Sequence, residues 1–206
     1  DAKMRNTKES ILEAQFTPGA GNWCTWMFGR DLVNWNNNFT WAKWVTPSRD
    51  LISTFKQEGD EVRFKESVVY YDCGWSNYYP SDNYPFMYKC RSANSSIIKY
   101  RYADVLLLKA EALIMQDTPD LEGAADIIDE VRDRAKLGAL SSSTRSNKDA
   151  LLNALLKERR LELAFEGQRW FDLVRLDKVE EVMNAVHAKD SGRKAQVYTY
   201  DKNSYR

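Results

Sequence analysis

Two stretches of this chain are apolar on more than one side of a helix, and that dictates a layered helical fold. In Tyr100 to Gln116, Ala103, Leu106, Leu107, Ala110 and Ile114 form one stripe at helical spacing, while Val105, Leu108 and Ala112 line the other side. A helix with two apolar sides needs a neighbour on each, so this reads as an interior helix. In the helix that starts near Asn147, Leu152, Leu155, Leu156 and Leu163 lie on one side and Ala154, Leu161, Ala164 and Phe165 on the other. It too reads as sandwiched. Leu121 to Lys136 differs: Ala124, Ile127, Ile128, Val131 and Ala135 share a single face, which makes it an outer helix.

The punctuation between these helices is explicit. Thr118 offers a cap and Pro119 suits a first helical position, predicting a short connection and antiparallel neighbours. Gly138 and Ser141 to Thr144 read as loop, with Ser146 as the next cap and Asp149 three residues on. Gly167 stands where a left-handed C-terminal cap is wanted, and a short helix bearing Trp170, Leu173 and Val174 follows. Asp177 with Glu180 marks a last start, for a helix with Val179, Val182, Met183 and Val186 on one side. The fold class is therefore mostly α, a layered helical packing.

The front of the chain has another character. Trp23, Trp26, Trp35, Trp41, Trp44 and Trp75, six of the seven tryptophans, are mixed there with Gly, Asn and Pro and follow no sustained period. That predicts a long loop-rich region with few short strands over residues 1–99, and the helical part over 100–206, within one continuous domain. A chain of 206 residues can bury roughly 70% of its unfolded surface, enough for such a core.

Thirty basic and thirty acidic residues give a formal net charge of +0, which argues against nucleic acid as a partner. No run of about 20 apolar residues exists that could span a membrane as a helix. Cys24, Cys73 and Cys90 are odd in number and fit no zinc spacing, so neither a metal nor a cofactor is expected.

The charges around the helix that runs to Phe165 invite a catalytic reading. Glu158, Glu162 and Glu166 recur every four residues with Arg159 and Arg160 among them, and Arg169, Asp172 and Arg175 follow the glycine. Paired carboxylates can serve as a glycosidase acid and base or hold a metal. Here the acids and bases interleave at pairing distance on a helix with little polar surface, so a structural ion network is the stronger reading and no catalytic residue is assigned. The single histidine, His187, falls on a polar flank near the end of the last helix.

Three of these segments, in order, resemble the C-terminal half of the SusD/RagB family, nutrient-binding lipoproteins of the Bacteroidetes outer membrane. The family helix R-x-A-D-V-L-L-x-x-A-E-A-L is matched by Arg101, Ala103 to Leu107, and Ala110 to Leu113. Its V-R-x-R-A-G-L is matched by Val131, Arg132, Arg134, Ala135 and Leu137, with Lys136 in place of glycine. Its E-R-R-x-E-L-A-F-E-G-x-R-x-F-D-L-x-R is matched from Glu158 to Arg175. Upstream, Thr46-Pro47 with Asp50-Leu51 and Phe55, then Gly59-Asp60 and Arg63, is similar to the family's P-T-x-x-L-V-D-x-F and G-D-x-R segment, with serine after the proline. Glu9 to Phe16 resembles its E-x-I-F-E-x-x-F strand.

The lipobox cysteine, the tetratricopeptide-like hairpins and the closing L-P-I-P segment of such proteins are not among these residues, so the resemblance implies a fragment. It also implies a binding protein and not an enzyme: a lipid-anchored component on the extracellular face of the outer membrane, handing oligosaccharide or polysaccharide to a SusC-like TonB-dependent transporter. Any membrane attachment would run through a lipid anchor outside this chain. The RagB branch implies peptides as an alternative ligand, and a helical scaffold without a small ligand is a third reading.

Sugars present flat C–H faces and many hydroxyls, which aromatic rings flanked by amides match. The expected ligand residues are Trp23, Trp35, Trp75 and Tyr78, with Asn77 beside them. Trp41 and Trp44, which run into Thr46-Pro47, are assigned to the core.

Overall fold

The structure is a computed structural model that describes residues 6–16, 46–73, 78–89, 96–190, 201 and 203. The chain divides into two compact units, Asp1–Phe165 and Glu166–Arg206. Among the described residues it is mostly helical with a few short strands.

In the first unit, strand β1 (Ser10–Ala14) pairs antiparallel with β4 (Ile97–Arg101), with Leu12 opposite Tyr100 and Glu13 opposite Ile98. Between them in sequence come helices α1 (Arg49–Glu58) and α2 (Glu61–Ser67), then the antiparallel pair β2 (Val68–Tyr71) and β3 (Tyr84–Met87). The helices α3 (Tyr102–Met115), α4 (Leu121–Arg134), α5 (Ser142–Arg145) and α6 (Lys148–Glu162) complete it. Strand β1 is laid on β4, and α1 packs on α6.

The main core is shared by three helices. Leu106, Leu107, Ala110 and Ile114 of α3 meet Ala124, Ala125, Ile128 and Val131 of α4 and Leu151 and Leu155 of α6. The single apolar face expected for the outer helix is the one buried, with Ala135 just beyond its end. For α3 the expectation of two buried faces is corrected: Val105 is 42% and Leu108 39% exposed, and Ala112 is exposed as well. The reason is geometric, because α4 and α6 both pack on the Leu107 side of α3. A second cluster joins Leu51 and Phe55 of α1 to Leu161 and Ala164, and a third joins Cys73, Tyr84 and Phe86.

Local chemistry explains the ends of the elements. Ser48 caps α1 by accepting from the Leu51 amide at 3.1 Å, and Gly59 ends that helix at φ +68°, a conformation that costs a side-chain-bearing residue about 1 kcal/mol. Asp60 then caps α2, accepting from the Arg63 amide at 3.1 Å. The starts expected downstream shift by a residue or two. Asp120 caps α4 through the Gly123 amide, where the sequence pattern favours Thr118, and Asn147 caps α6 through the Ala150 amide, where the pattern favours Ser146. Each winning side chain sits directly before the first helical residue, where its oxygen reaches the amide three positions on. The stretch 141–144, expected as loop, opens the single turn α5, capped by Ser141. Helix α6 stops at Glu162, ahead of Gly167, and the turn that follows puts Phe165 at φ +65° before Gly167 reaches +82°.

The second unit contains α7 (Arg169–Arg175) and α8 (Val179–Asp190), which pack on each other. Asp177 takes φ +55°, and the amides of Asp177 and Lys178 donate to the Val174 and Leu173 carbonyls. It therefore closes α7, where the sequence suggests that it opens α8. Leu173 and Val179 are buried, whereas Trp170 and Phe171 are exposed.

Candidate functional site

The glutamates of α6 sit at the centre of a charge network that draws on α1, α2, α4, β4, the segment before β1 and the α1–α2 junction. Glu158 is 1% exposed, and its two oxygens accept from Arg63 of α2 at 2.6 Å and Arg132 of α4 at 3.4 Å. Glu162 accepts from Arg101 of β4 at 2.7 Å and Arg134 at 3.3 Å on one oxygen, and from Arg63 at 3.0 Å on the other. Arg63 also holds Asp60, Arg132 and Lys157 hold Glu58, and Arg101 and Arg134 hold Glu9. The five acids Glu9, Glu58, Asp60, Glu158 and Glu162 face the five bases Arg63, Arg101, Arg132, Arg134 and Lys157, so the network is neutral as a whole.

Glu9 has a second task. Helix α3 begins without a side-chain cap of its own, and Glu9, from just before β1, accepts the Ala103 amide on its carboxylate at 3.1 Å and the Tyr102 amide on its carbonyl at 2.8 Å. A carboxylate against the first amides of a helix also meets the positive end of its dipole.

The electrostatics of the two central acids diverge. Burial raises the pKa of Glu162, but Arg101 and Arg63 outweigh it and hold the group down at about 2. At Glu158 burial prevails over the pull of Arg63 and Arg132, and the pKa rises. A raised and a lowered carboxyl one helical turn apart would suit an acid and a base. In this geometry all four oxygens accept from guanidinium groups.

Two basic residues of α6 reach acids on neighbouring helices. Arg159, 2% exposed, forms an ion pair with Asp104 of α3 at 2.9 Å, and Arg160 pairs with Asp50 of α1 at 2.7 Å. Successive residues point in different directions around the helix, so Arg159 and Arg160 reach other partners than Glu158. Of the remaining charges, Asp172 pairs with Arg175 inside the second unit.

Trp23, Trp35, Trp75 and Asn77 lie outside the described residues, as do Trp41 and Trp44. Tyr78 is described and half-buried. The Arg49 guanidinium lies 4.1 Å from the centre of its ring and 4.2 Å from that of Tyr79, and it donates to the Tyr78 carbonyl. Tyr78 and Tyr79 meet edge to face at 5.1 Å and 87°. Tyr79 in turn stands against Tyr84 and donates its hydroxyl to the Pro47 carbonyl at 2.7 Å. The loop before β3 is thereby fastened to the start of α1. Beside it an open cavity of about 440 Å³ is bordered by Lys56 and Gln57 of α1 and by Tyr70, Tyr79 and Asn83. The sequence pattern signals neither Arg49 nor this cavity, although a cation beside adjacent tyrosines is a common aromatic partner.

Among the described residues, no group of three or more His, Cys, Asp or Glu side chains is placed to hold a metal ion, and no helix is long and apolar enough to cross a membrane.

This arrangement has known counterparts. The sequence model of the SusD family matches residues 8–206, and the chain belongs to that family. It is similar to SusD-like protein P38 of Formosa agariphila, with 41% identity over 106 residues, 48% of this chain and 21% of that protein. Among solved structures it resembles a SusD homologue from Bacteroides thetaiotaomicron, with TM-score 0.67 and 20% identity over 93% of this chain and 46% of the other. A SusD-like carbohydrate binding protein from Bacteroides fragilis gives TM-score 0.64 and 21% identity over 85% and 43%. At such identities these structures establish the shared fold. The chain spans about a fifth of the curated relative's length and less than half of each solved one.

Proposed function

We propose that this chain is part of a cell-surface glycan-binding protein of the outer membrane, one that captures oligosaccharide and passes it to a SusC-like TonB-dependent transporter. The observation that carries the reading is the family match over residues 8–206. It is supported by the fold shared with a protein described as carbohydrate binding. The reading makes the chain a binder without covalent chemistry, and the carboxylates of Glu158 and Glu162 are engaged by guanidinium groups.

Recognition falls to the ring-bearing loops. Trp23, Trp35, Trp75 and Tyr78 supply apolar faces for sugar rings, and Asn77 supplies an amide for hydroxyls. Affinity gel electrophoresis of the full-length protein against a polysaccharide panel tests this. Retardation by at least one glycan, lost on Trp→Ala substitution at one of these positions, supports it. Binding of peptides with no retardation by any glycan would refute it.

A further inference from the structure

Helix α1 sorts its charges by side. Its acids turn inward to the helical core, where Asp50 meets Arg160 at 2.7 Å and Glu58 meets Lys157 and Arg132. Its cations, Arg49 and Lys56, are seven residues apart, two helical turns, and so lie along one flank with Ser53 between them. That flank borders the open cavity of about 440 Å³ beside β2 and β3. The chain as a whole carries formal charge +0, so the positive edge reflects placement and not composition.

The described lining of the cavity combines three kinds of group. Tyr70 and Tyr79 present aromatic surface, Gln57 and Asn83 present amides, and Arg49 and Lys56 present positive charge, with no Asp or Glu among them. Rings and amides alone would suit a neutral sugar. The added cations change the selectivity, since a hydrogen bond to an ionised acceptor is roughly twice as strong as a neutral one.

We propose that this cavity is a subsite for an acidic sugar, one carrying a carboxylate or a sulfate ester on its ring. Lys56 is the donor to the acidic group: it is exposed, its ammonium makes no ion pair or hydrogen bond among the described residues, and its stem is flexible enough to follow the ligand. Arg49 contributes a fixed positive field, held over Tyr78 and Tyr79 at 4.1 and 4.2 Å. The aromatic lining of Tyr70 and Tyr79 faces the C–H surface of the sugar. Because Arg49 also touches Tyr78, the subsite adjoins the loop already assigned to glycan recognition. The inference rests on that assignment and narrows it to a class of glycan.

The test uses the full-length protein and titration calorimetry at low salt with two matched pairs of polymers. One pair is polygalacturonate and its methyl ester; the other is a sulfated galactan and the same galactan desulfated. At least one acidic polymer is expected to bind about tenfold tighter than its neutral partner, as one charge-assisted hydrogen bond permits. Lys56→Ala should remove most of that preference while leaving the thermal midpoint unchanged, because the side chain is exposed. Preference in the first pair identifies carboxylate, and in the second, sulfate. Equal affinity for acidic and neutral members overturns the subsite and leaves glycan binding standing. A preference that survives Lys56→Ala places charge recognition elsewhere and also overturns it. Absence of binding to any of the four polymers and to the polysaccharide panel sinks both this inference and the glycan reading beneath it.

Discussion

Replacing Arg63 by methionine should unfold the protein far more easily than its place on the short helix α2 suggests. The guanidinium touches three carboxylates: Asp60 through Nε, and Glu158 at 2.6 Å and Glu162 at 3.0 Å through Nη1. Methionine retains the apolar stem, so packing is largely preserved and the change is electrostatic. Glu162 keeps Arg101 at 2.7 Å, but Glu158, already raised by burial, is left with Arg132 at 3.4 Å. Breaking a buried pair from one side costs about 3–5 kcal/mol, because the remaining charge has nowhere to go. Urea unfolding of the full-length protein at pH 7 reads this as a lower midpoint with an unchanged slope. Adding Glu158→Gln to Arg63→Met should return part of the loss, since one of the two buried acids left without Arg63, the other being Asp60, is then neutral. A loss below about 1 kcal/mol, typical of a surface pair, or a double variant no better than the single, would refute the reasoning.

Three further outcomes follow from the same geometry. With Glu162 at about 2 when folded against 4.5 when unfolded, its ionised form contributes stability that is fully present above pH 4.5 and is lost as pH falls towards 2. The corresponding upper bound is about 3 kcal/mol, and Glu158, with its pKa raised, acts in the opposite direction and eases as it protonates. Glu162→Gln should therefore flatten the acid limb of a stability-against-pH curve, and an unchanged limb would contradict the assignment. Ser48→Ala removes the acceptor for the Leu51 amide and should cost about 1 kcal/mol by thermal melting, with Ser48→Thr nearly neutral. Ile128→Ala, in the middle of the three-helix core, should cost about 2–5 kcal/mol in the same assay.

How much of the fold and the site is legible in the sequence depends on distance along the chain. The period of Ala124, Ile128 and Val131 predicts the buried face of α4, and the buried residues of α3 follow from the same arithmetic; on α6 Leu155 is read correctly, but Leu151, fully buried, is missed in favour of Leu152, which is only partly covered. The exposure of Val105 and Leu108 is not foreseeable, since periodicity shows that a face is apolar and not which neighbour covers it. The acids of α6 read as paired, but their partners do not: Arg63 lies 95 and 99 residues from them and Arg101 lies 61 from Glu162. Nothing in the spacing of an ion pair survives such separation; only the fold supplies it. The cap supplied to α3 by Glu9 is hidden for the same reason, 94 residues away from the Ala103 amide it receives. Caps misplaced by a residue or two, such as Thr118 for Asp120, arise because several capping residues stand in a row and local pattern does not rank them.

The central claim is a division of labour: the charges at Glu158 and Glu162 hold the helices together, and the aromatic loops hold the ligand. It is tested most directly by glycan titration of the full-length protein carrying Glu158→Gln, beside Trp23→Ala and Trp35→Ala, at a temperature where all remain folded. The account predicts a dissociation constant within about twofold of the parent for Glu158→Gln and a loss of about tenfold or more for at least one tryptophan variant. Loss of binding in Glu158→Gln, with both tryptophan variants unaffected, would contradict it.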